Sequence, residues 1–290
     1  MASLEKVTIR GAEYIQESNG QGVLHVSNPH ALVQAVGYLK FRAEPYERIF
    51  LRGQSKLYDT LGPTLYRGIT SDAAQSKRHK ALNAAIEIFR ENCSIFASFP
   101  EYAHEALLQH YGIKTTWIDI VDNVWVALWF SAYQAFSEGK NGEYLHFDLR
   151  VPSETEEFGY ILLLSAADDR RSKTRKGMLL SNHSEVIDLR IAAPSIFLRP
   201  HSQHGLLLRA KGTRGGRVLD YSNLIRGIVR YRLKDAIDWL GSGNMVGIRG
   251  LFPPPYFDPG YRLFVVCPTH RLFGWYGTPR WGLAQRERCI

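Results

Sequence analysis

The chain has 290 residues, is 45% hydrophobic and 22% charged, and carries a net charge of +8 with a pI of about 9.4. This is ample for a packed core and excludes a compositionally disordered chain, and no run of ~18 apolar residues offers a membrane span. The charge surplus favours an anionic partner, while the dispersed Cys93, Cys267 and Cys289 suit a reducing cytoplasm with neither a disulfide framework nor a zinc pair. Met1–Gly11 has no apolar stretch like that of a signal peptide.

Ser27-Asn28-Pro29 reads as a helix start, with Asn28 as cap and Pro29 in the first turn. Leu32, Val36 and Leu39 then share one helical face. Arg48–Arg52 predicts a strand that stops at Gly53. Leu82, Ile86, Phe89, Cys93 and Phe96 predict an amphipathic helix over Ser76–Phe96. A shorter helix over Tyr102–His110 breaks at Tyr111-Gly112. Thr115–Ile120 reads as a strand. Asp122 can cap a helix that holds Val124, Ala127, Leu128, Ser131 and Ala135. Strands then dominate: Glu143–Leu149, Tyr160–Ser165, Glu185–Arg190, Gly205–Arg209 and Ile225–Leu233. A small helix over Lys234–Leu240 and a last strand at Phe264–Cys267 complete the reading. Helices first and strands later argue for an α+β fold over a doubly wound sheet. No linker separates domains, so residues 1–290 are read as one.

Several catalytic motifs fail. The zinc-protease helix would need a second histidine where Leu108 stands. There is no Walker A sequence, no Gly-x-Gly-x-x-Gly and no Gly-x-Ser-x-Gly. His201–His204 has no cysteine or carboxylate near it in sequence, which favours a surface or site-lining part, so no metal is expected.

Other segments carry chemistry. Phe50-Leu51-Arg52-Gly53-Gln54 sets an arginine at a strand end before a glycine turn, where a guanidinium can grip phosphate bidentately. Gln109, His110, Thr116 and Asp119 are polar groups set among apolar neighbours, so they either brace a site or line one. Two loops are strongly basic. Arg170, Arg171, Lys173, Arg175 and Lys176 form one. Arg209, Lys211, Arg214 and Arg217 surround Gly212, Gly215 and Gly216 in the other, where glycines allow main-chain N–H groups near a phosphate.

These segments resemble the FRG domain family. The likeness rests on Arg52-Gly53-Gln54, on Gln109-His110-Tyr111-Gly112 with Asp119, and on Ala127, Leu128, Phe130 and Ala132. Arg199 with Gln203-His204-Gly205, and Gly247-Ile248 with Leu251-Phe252-Pro253, extend it over about residues 30–262. The name-giving phenylalanine is Leu51 here, and Ile120-Val121 follow the aspartate. The family's layout is in turn remotely similar to ADP-ribosyltransferases. That similarity implies a helical N-terminal part packed on a mainly antiparallel, split sheet.

The resemblance also implies an NAD-dependent ADP-ribosyltransferase, a bacterial toxin or phage-defence effector with NAD as co-substrate. The catalytic candidates are then Arg52, His110, Asp119 and Gln203. Arg52, Gly53, Gln54, Gln109, Tyr111, Thr116 and Arg199 are the NAD-binding candidates, with Tyr111 or Trp117 as a stacking wall. Gln203 stands where such enzymes place a glutamate, and an amide cannot act as a base. Arg209, Lys211, Arg214 and Arg217 suggest a nucleic-acid acceptor, RNA above all. The alternatives are an NAD-hydrolysing enzyme of the same fold and a non-catalytic module that binds a nucleotide or a partner. An antitoxin or chaperone would be a further partner.

Overall fold

A computed structural model describes residues 4–138, 144–151, 157–167, 175–212, 219–241 and 246–266. A hairpin of β1 (Ala12–Gln16) and β2 (Gly22–Val26) leads into α1 (Pro29–Arg42). Asn28 Oδ1 accepts from the Ala31 N–H and Pro29 occupies the first turn, so α1 starts where the sequence predicts. β3 (Glu47–Gln54) follows, then α2 (Asp72–Asn92), α3 (Ser94–Ala97) and α4 (His104–His110). β4 (Ile118–Val121), α5 (Val124–Ala132) and the hairpin β5 (Tyr133–Glu138) with β6 (Tyr144–Leu149) come next. The remainder is β7 (Phe158–Ala167), β8 (Met178–Leu180), β9 (Ser184–Asp188), α6 (Leu189–Ala192), α7 (Leu198–Ser202), β10 (Gly205–Ala210), β11 (Ile225–Arg232), α8 (Leu233–Trp239), α9 (Ile248–Leu251) and α10 (Pro259–Val266).

Nine strands form one sheet in the order β1-β2-β11-β7-β3-β4-β10-β9-β8. The fold is α+β, but the sheet is mixed where a mainly antiparallel one was expected. β2 runs parallel to β11, through Val229↔Leu24 and Arg230↔His25. The N-terminal hairpin that causes this was not read from the sequence. Its alternation is short, and Gly20 and Gly22 interrupt it. At the centre the sheet narrows: β3 meets β4 through one register pair, Leu51↔Val121.

The strand faces alternate between cores. Leu51, Val121, Ile161, Leu163 and Val229 face the first core with α1, α5 and α8. Leu207 and Ile187 face a second core with α2, α4, α6 and α10. Phe50, Ile120, Leu162, Leu164, Val186, Leu206 and Leu208 share the opposite face. Although β3, β4 and β10 lie between them, β7 touches β9, so the sheet curls and this third face becomes the inside of the curl.

Other boundaries differ from the sequence reading. Asn123, not Asp122, caps α5, its Oδ1 accepting from the Trp125 and Val126 N–H groups. Asp122 is instead engaged by Arg190. Ala135 belongs to β5, not to the helix. The expected strand at Phe264–Cys267 is helical as far as Val266, and Cys267 lies outside the described residues. Asp258-Pro259 repeats the cap-and-proline signal of Asn28-Pro29, with Asp258 Oδ1 accepting from the Tyr261 N–H.

Gly53 shows how closely α5 lies on β3. A Cβ there would collide with the Ala127 carbonyl oxygen and the Ser131 nitrogen, both main-chain atoms that cannot swing aside. Gly53→Ala should therefore destabilise by about 2–3 kcal/mol, an overpacking cost. Urea unfolding of the variant checks this, and an unchanged midpoint would mean that the helix shifts freely.

Candidate functional site

The pairing of Leu51 with Val121 brings Arg52 abreast of the β4 main chain. Arg52 Nη1 donates to the Asp119 carbonyl oxygen at 2.6 Å. Its Nε is buried with no hydrogen-bond partner among the described residues. Burial lowers the Arg52 pKa; the Asp119 charge opposes this and Arg67 adds to it. Nearby, burial lowers the pKa of Lys114, and Arg78 and Arg67 lower it further. Arg52, Arg67, Arg78 and Lys114 thus form a linked set of cations at one end of the curled sheet. Arg78 is held in place by donating to the Leu65 and Arg67 carbonyls at 3.0 and 3.4 Å. Tyr58, 54% exposed, lies within electrostatic reach of Arg52 and offers a free aromatic face. The sequence reading missed Tyr58, Arg67, Arg78 and Lys114. They come from separate segments, and no periodic spacing links them.

Asp119 ties this end to α4. Its Oδ2 accepts from Gln109 Nε2 at 2.9 Å. Gln109 Oε1 accepts from Thr115 Oγ1 at 2.7 Å and Thr64 Oγ1 at 3.4 Å, which fixes the amide orientation. Gln54 closes β3 and is half-buried.

His110 and Gln203 meet behind this layer. Gln203 Nε2 donates to the Leu251 carbonyl at 2.8 Å, so its Oε1 turns to His110 Nδ1 at 3.1 Å. That acceptor requires the Nδ1–H tautomer. The ring lies against Gly205, where any Cβ would strike it. Burial first, and Arg199 further, hold the His110 pKa below the ordinary value, against Asp119 and the Gln203 hydrogen bond. His104, also buried, is shifted the same way by burial. For both, the unfolded chain takes up the proton first. Stability is therefore complete above the unfolded pKa of about 6.5 and falls as pH drops below it, by up to about 1.4 kcal/mol per pH unit for each histidine. Urea unfolding at pH 7.5 and 5.5 should show this loss, and His104→Gln with His110→Gln should flatten the difference.

Tyr111 does not join them. It is buried in the second core and donates to Asp258 Oδ2 at 2.9 Å. Arg199 is equally interior: Nη1 donates to the His110 carbonyl at 3.2 Å, and the guanidinium covers Tyr261 at 4.0 Å and Tyr111 at 5.0 Å. Trp117 is buried as well. Neither Tyr111 nor Trp117 is placed as an open stacking wall.

Thr116 belongs to a further network. Its N–H and Oγ1 donate to Glu105 Oε1 at 2.7 and 2.6 Å. Arg209 pairs with Glu185 at 2.5 Å and Glu105 at 3.3 Å, and its guanidinium covers Trp117 at 4.3 Å. Lys211 is 3.5 Å from Glu185. Arg209 is thereby committed to internal contacts. Arg214 and Arg217 lie outside the described residues, as do Arg170, Arg171 and Lys173.

Of the expected site residues, then, Arg52, Gln109 and Asp119 converge by hydrogen bonds. His110 and Gln203 form a buried pair next to them, whereas Tyr111 and Arg199 face the second core. Among the described residues, no helix is long and apolar enough to cross a membrane, and no three His, Cys, Asp or Glu side chains are placed to hold a metal.

Comparison with curated proteins and with solved structures gives no match. A family model described as FRG domain matches residues 47–140, from the first residue of β3 to just past β5. That span holds Arg52, Gln109, His110 and Asp119, while Arg199 and Gln203 lie beyond it. The segment that builds the cationic end of the sheet is therefore the family segment, and residues 47–140 carry the match to the FRG domain.

Proposed function

We propose that the chain is an NAD-dependent ADP-ribosyltransferase, with the dinucleotide's pyrophosphate held at Arg52 on an ADP-ribosyltransferase-like sheet. The observation that carries this is the gathering of Arg52, Arg67, Arg78 and Lys114 beside the Asp119 carboxylate. Cations gathered at one place leave positive potential for an anion to neutralise. The orphaned Arg52 Nε and the exposed Tyr58 ring add a fork for phosphate and a face for a base or nicotinamide.

In the transfer step the bond from the ribose to nicotinamide breaks as the acceptor attacks, and nicotinamide leaves as a neutral base. Asp119, the carboxylate whose charge acts on Arg52, is the group to stabilise the oxocarbenium-like ribose. Gln203 is spent on His110 and the Leu251 carbonyl, so the late-strand position supplies no base. This last point favours a second reading, a non-catalytic module that binds a nucleotide at the same cations; water as acceptor gives a third, NAD hydrolysis. RNA is the acceptor that the +8 charge suggests. With Arg209 paired internally, RNA contact would fall on Lys211 and on Arg214 and Arg217.

Incubation with NAD labelled on adenine, with RNA, DNA and protein pools in separate arms, tests all of these. Label on RNA is the expected result. Free ADP-ribose alone marks hydrolysis. NAD bound but intact marks the binding module, and no interaction with NAD rejects the proposal.

A further inference from the structure

The opposite end of the curled sheet carries a second, independent site. A groove of about 600 Å³ opens there, away from Arg52, where β3 and β8 begin and β9 ends. Its floor is apolar: Ile49, Phe50, Met178, Val186 and Leu206. Phe50, Val186 and Leu206 belong to the inner face of the curl, so the groove is its mouth. A cavity of this size with an apolar floor and few polar groups is the usual form of a small-molecule site, and barrel mouths are a common place for one.

The rim decides the charge of the ligand. It carries Lys40, Arg48 and Arg190 against Glu47, Asp122 and Asp188. Every carboxylate is already engaged. Arg190 spans Asp188 at 2.7 Å and Asp122 at 2.8 Å. Glu47 accepts from Ser165 and lies 3.4 Å from Arg226. Arg48 is exposed and Lys40 reaches only the Asp122 main-chain oxygen, at 3.5 Å; neither forms an ion pair among the described residues. Among the described residues the rim, with Arg226, has four cations for three carboxylates, and the surplus sits at Arg48 and Lys40.

We propose that this mouth binds a small amphipathic organic anion, its apolar body on Phe50, Val186 and Leu206 and its acidic head between Arg48 and Lys40. A metal ion or an organic cation would meet carboxylates already taken, and a neutral apolar ligand would leave the two cations unused. Both substituents required of the ligand are therefore set by residues at the mouth.

The probe is 1-anilinonaphthalene-8-sulfonate, an aromatic body with one sulfonate, titrated by fluorescence. N-phenyl-1-naphthylamine, the same rings without the charge, is the comparison. Expected are one saturable sulfonate site per chain and a Kd weakened about tenfold in the Lys40→Gln/Arg48→Gln double variant, with a similar loss at high salt. The neutral amine should bind at least about tenfold more weakly than the sulfonate and ignore the double variant. Both changes are on the exposed rim, so the fold stays intact. Met178→Trp, which fills part of the groove, should weaken both probes. Binding without saturation at one per chain, equal Kd in the double variant, or full retention in Met178→Trp would overturn the site. None of these readouts depends on NAD, so the proposal at Arg52 stands or falls separately.

Discussion

Asp258→Ala is expected to lower stability by about 3–5 kcal/mol, more than any other single change considered for this fold. Asp258 is 0% exposed. It receives the Tyr111 hydroxyl at 2.9 Å, the Tyr261 N–H at 2.9 Å and the Leu198 N–H at 3.3 Å. The carboxylate thereby ties α4, α7 and α10 together from inside the second core. Removing it strands three donors inside the second core. Asp258→Asn keeps an acceptor for the two N–H groups and should lose roughly half as much. Urea unfolding followed by tryptophan fluorescence measures both. A loss below about 1 kcal/mol in the alanine variant would show that these helices hold together by apolar packing alone.

Arg52→Ala is expected to weaken NAD binding or turnover by about 2–4 kcal/mol, roughly 30- to 1,000-fold, while the protein stays folded. The loss is large because the guanidinium supplies a fork to the pyrophosphate and the remaining cations supply only diffuse charge. Arg52→Lys keeps the charge and loses the fork, so it should recover part of the affinity. The internal contact at risk is one hydrogen bond to the Asp119 carbonyl, worth about 1 kcal/mol, so binding should change far more than stability. Calorimetric titration with NAD, paired with urea unfolding, separates the two. Equal NAD affinity in a folded alanine variant would remove Arg52 from the ligand.

Much of the fold could be read from the chain where a local signal was strong. The cap at Asn28, the strand through Arg52 (which runs on to Gln54 rather than stopping at Gly53) and the run of strands from β6 onward needed only neighbours in sequence. The parallel β2–β11 pair did not, because no short-range pattern says which distant strand a hairpin will join. The final helix was missed because Phe264-Val265-Val266 has strand-favouring residues while its start signal, Asp258-Pro259, lies five residues upstream of them. Among candidate site residues, Gln109, His110, Thr116 and Asp119 stand out in the chain as polar groups in apolar surroundings, and all four side chains make hydrogen bonds inside the fold. Their division of labour was not legible. Tyr111 follows His110 directly, yet one helical step turns it from the sheet junction into the second core. Arg209 reads as a loop cation until the fold brings Glu105, Glu185 and Trp117 around it. The cluster of Arg67, Arg78 and Lys114 exists only after the 64–67 turn, α2 and the turn after α4 are brought to one end of β3.

The parallel pairing of Leu24 with Val229 fixes when the molecule can be finished during synthesis. The hairpin leaves the ribosome early, but the strand it joins emerges 205 residues later, counting from 24 to 229. At a translation rate of about 5–20 residues per second that is a wait of roughly 10–40 s. Throughout it β2 presents an open edge, and β3, whose long partner is β7, waits through a gap of 112 residues, counting from 51 to 163. Most central pairings of this sheet thus close over long loops, the topology that slows folding most. A nascent chain halted before Ile225 would still lack β11, leaving one edge of β2 and one edge of β7 open, and these are the edges at which chaperone contact or misassembly would begin.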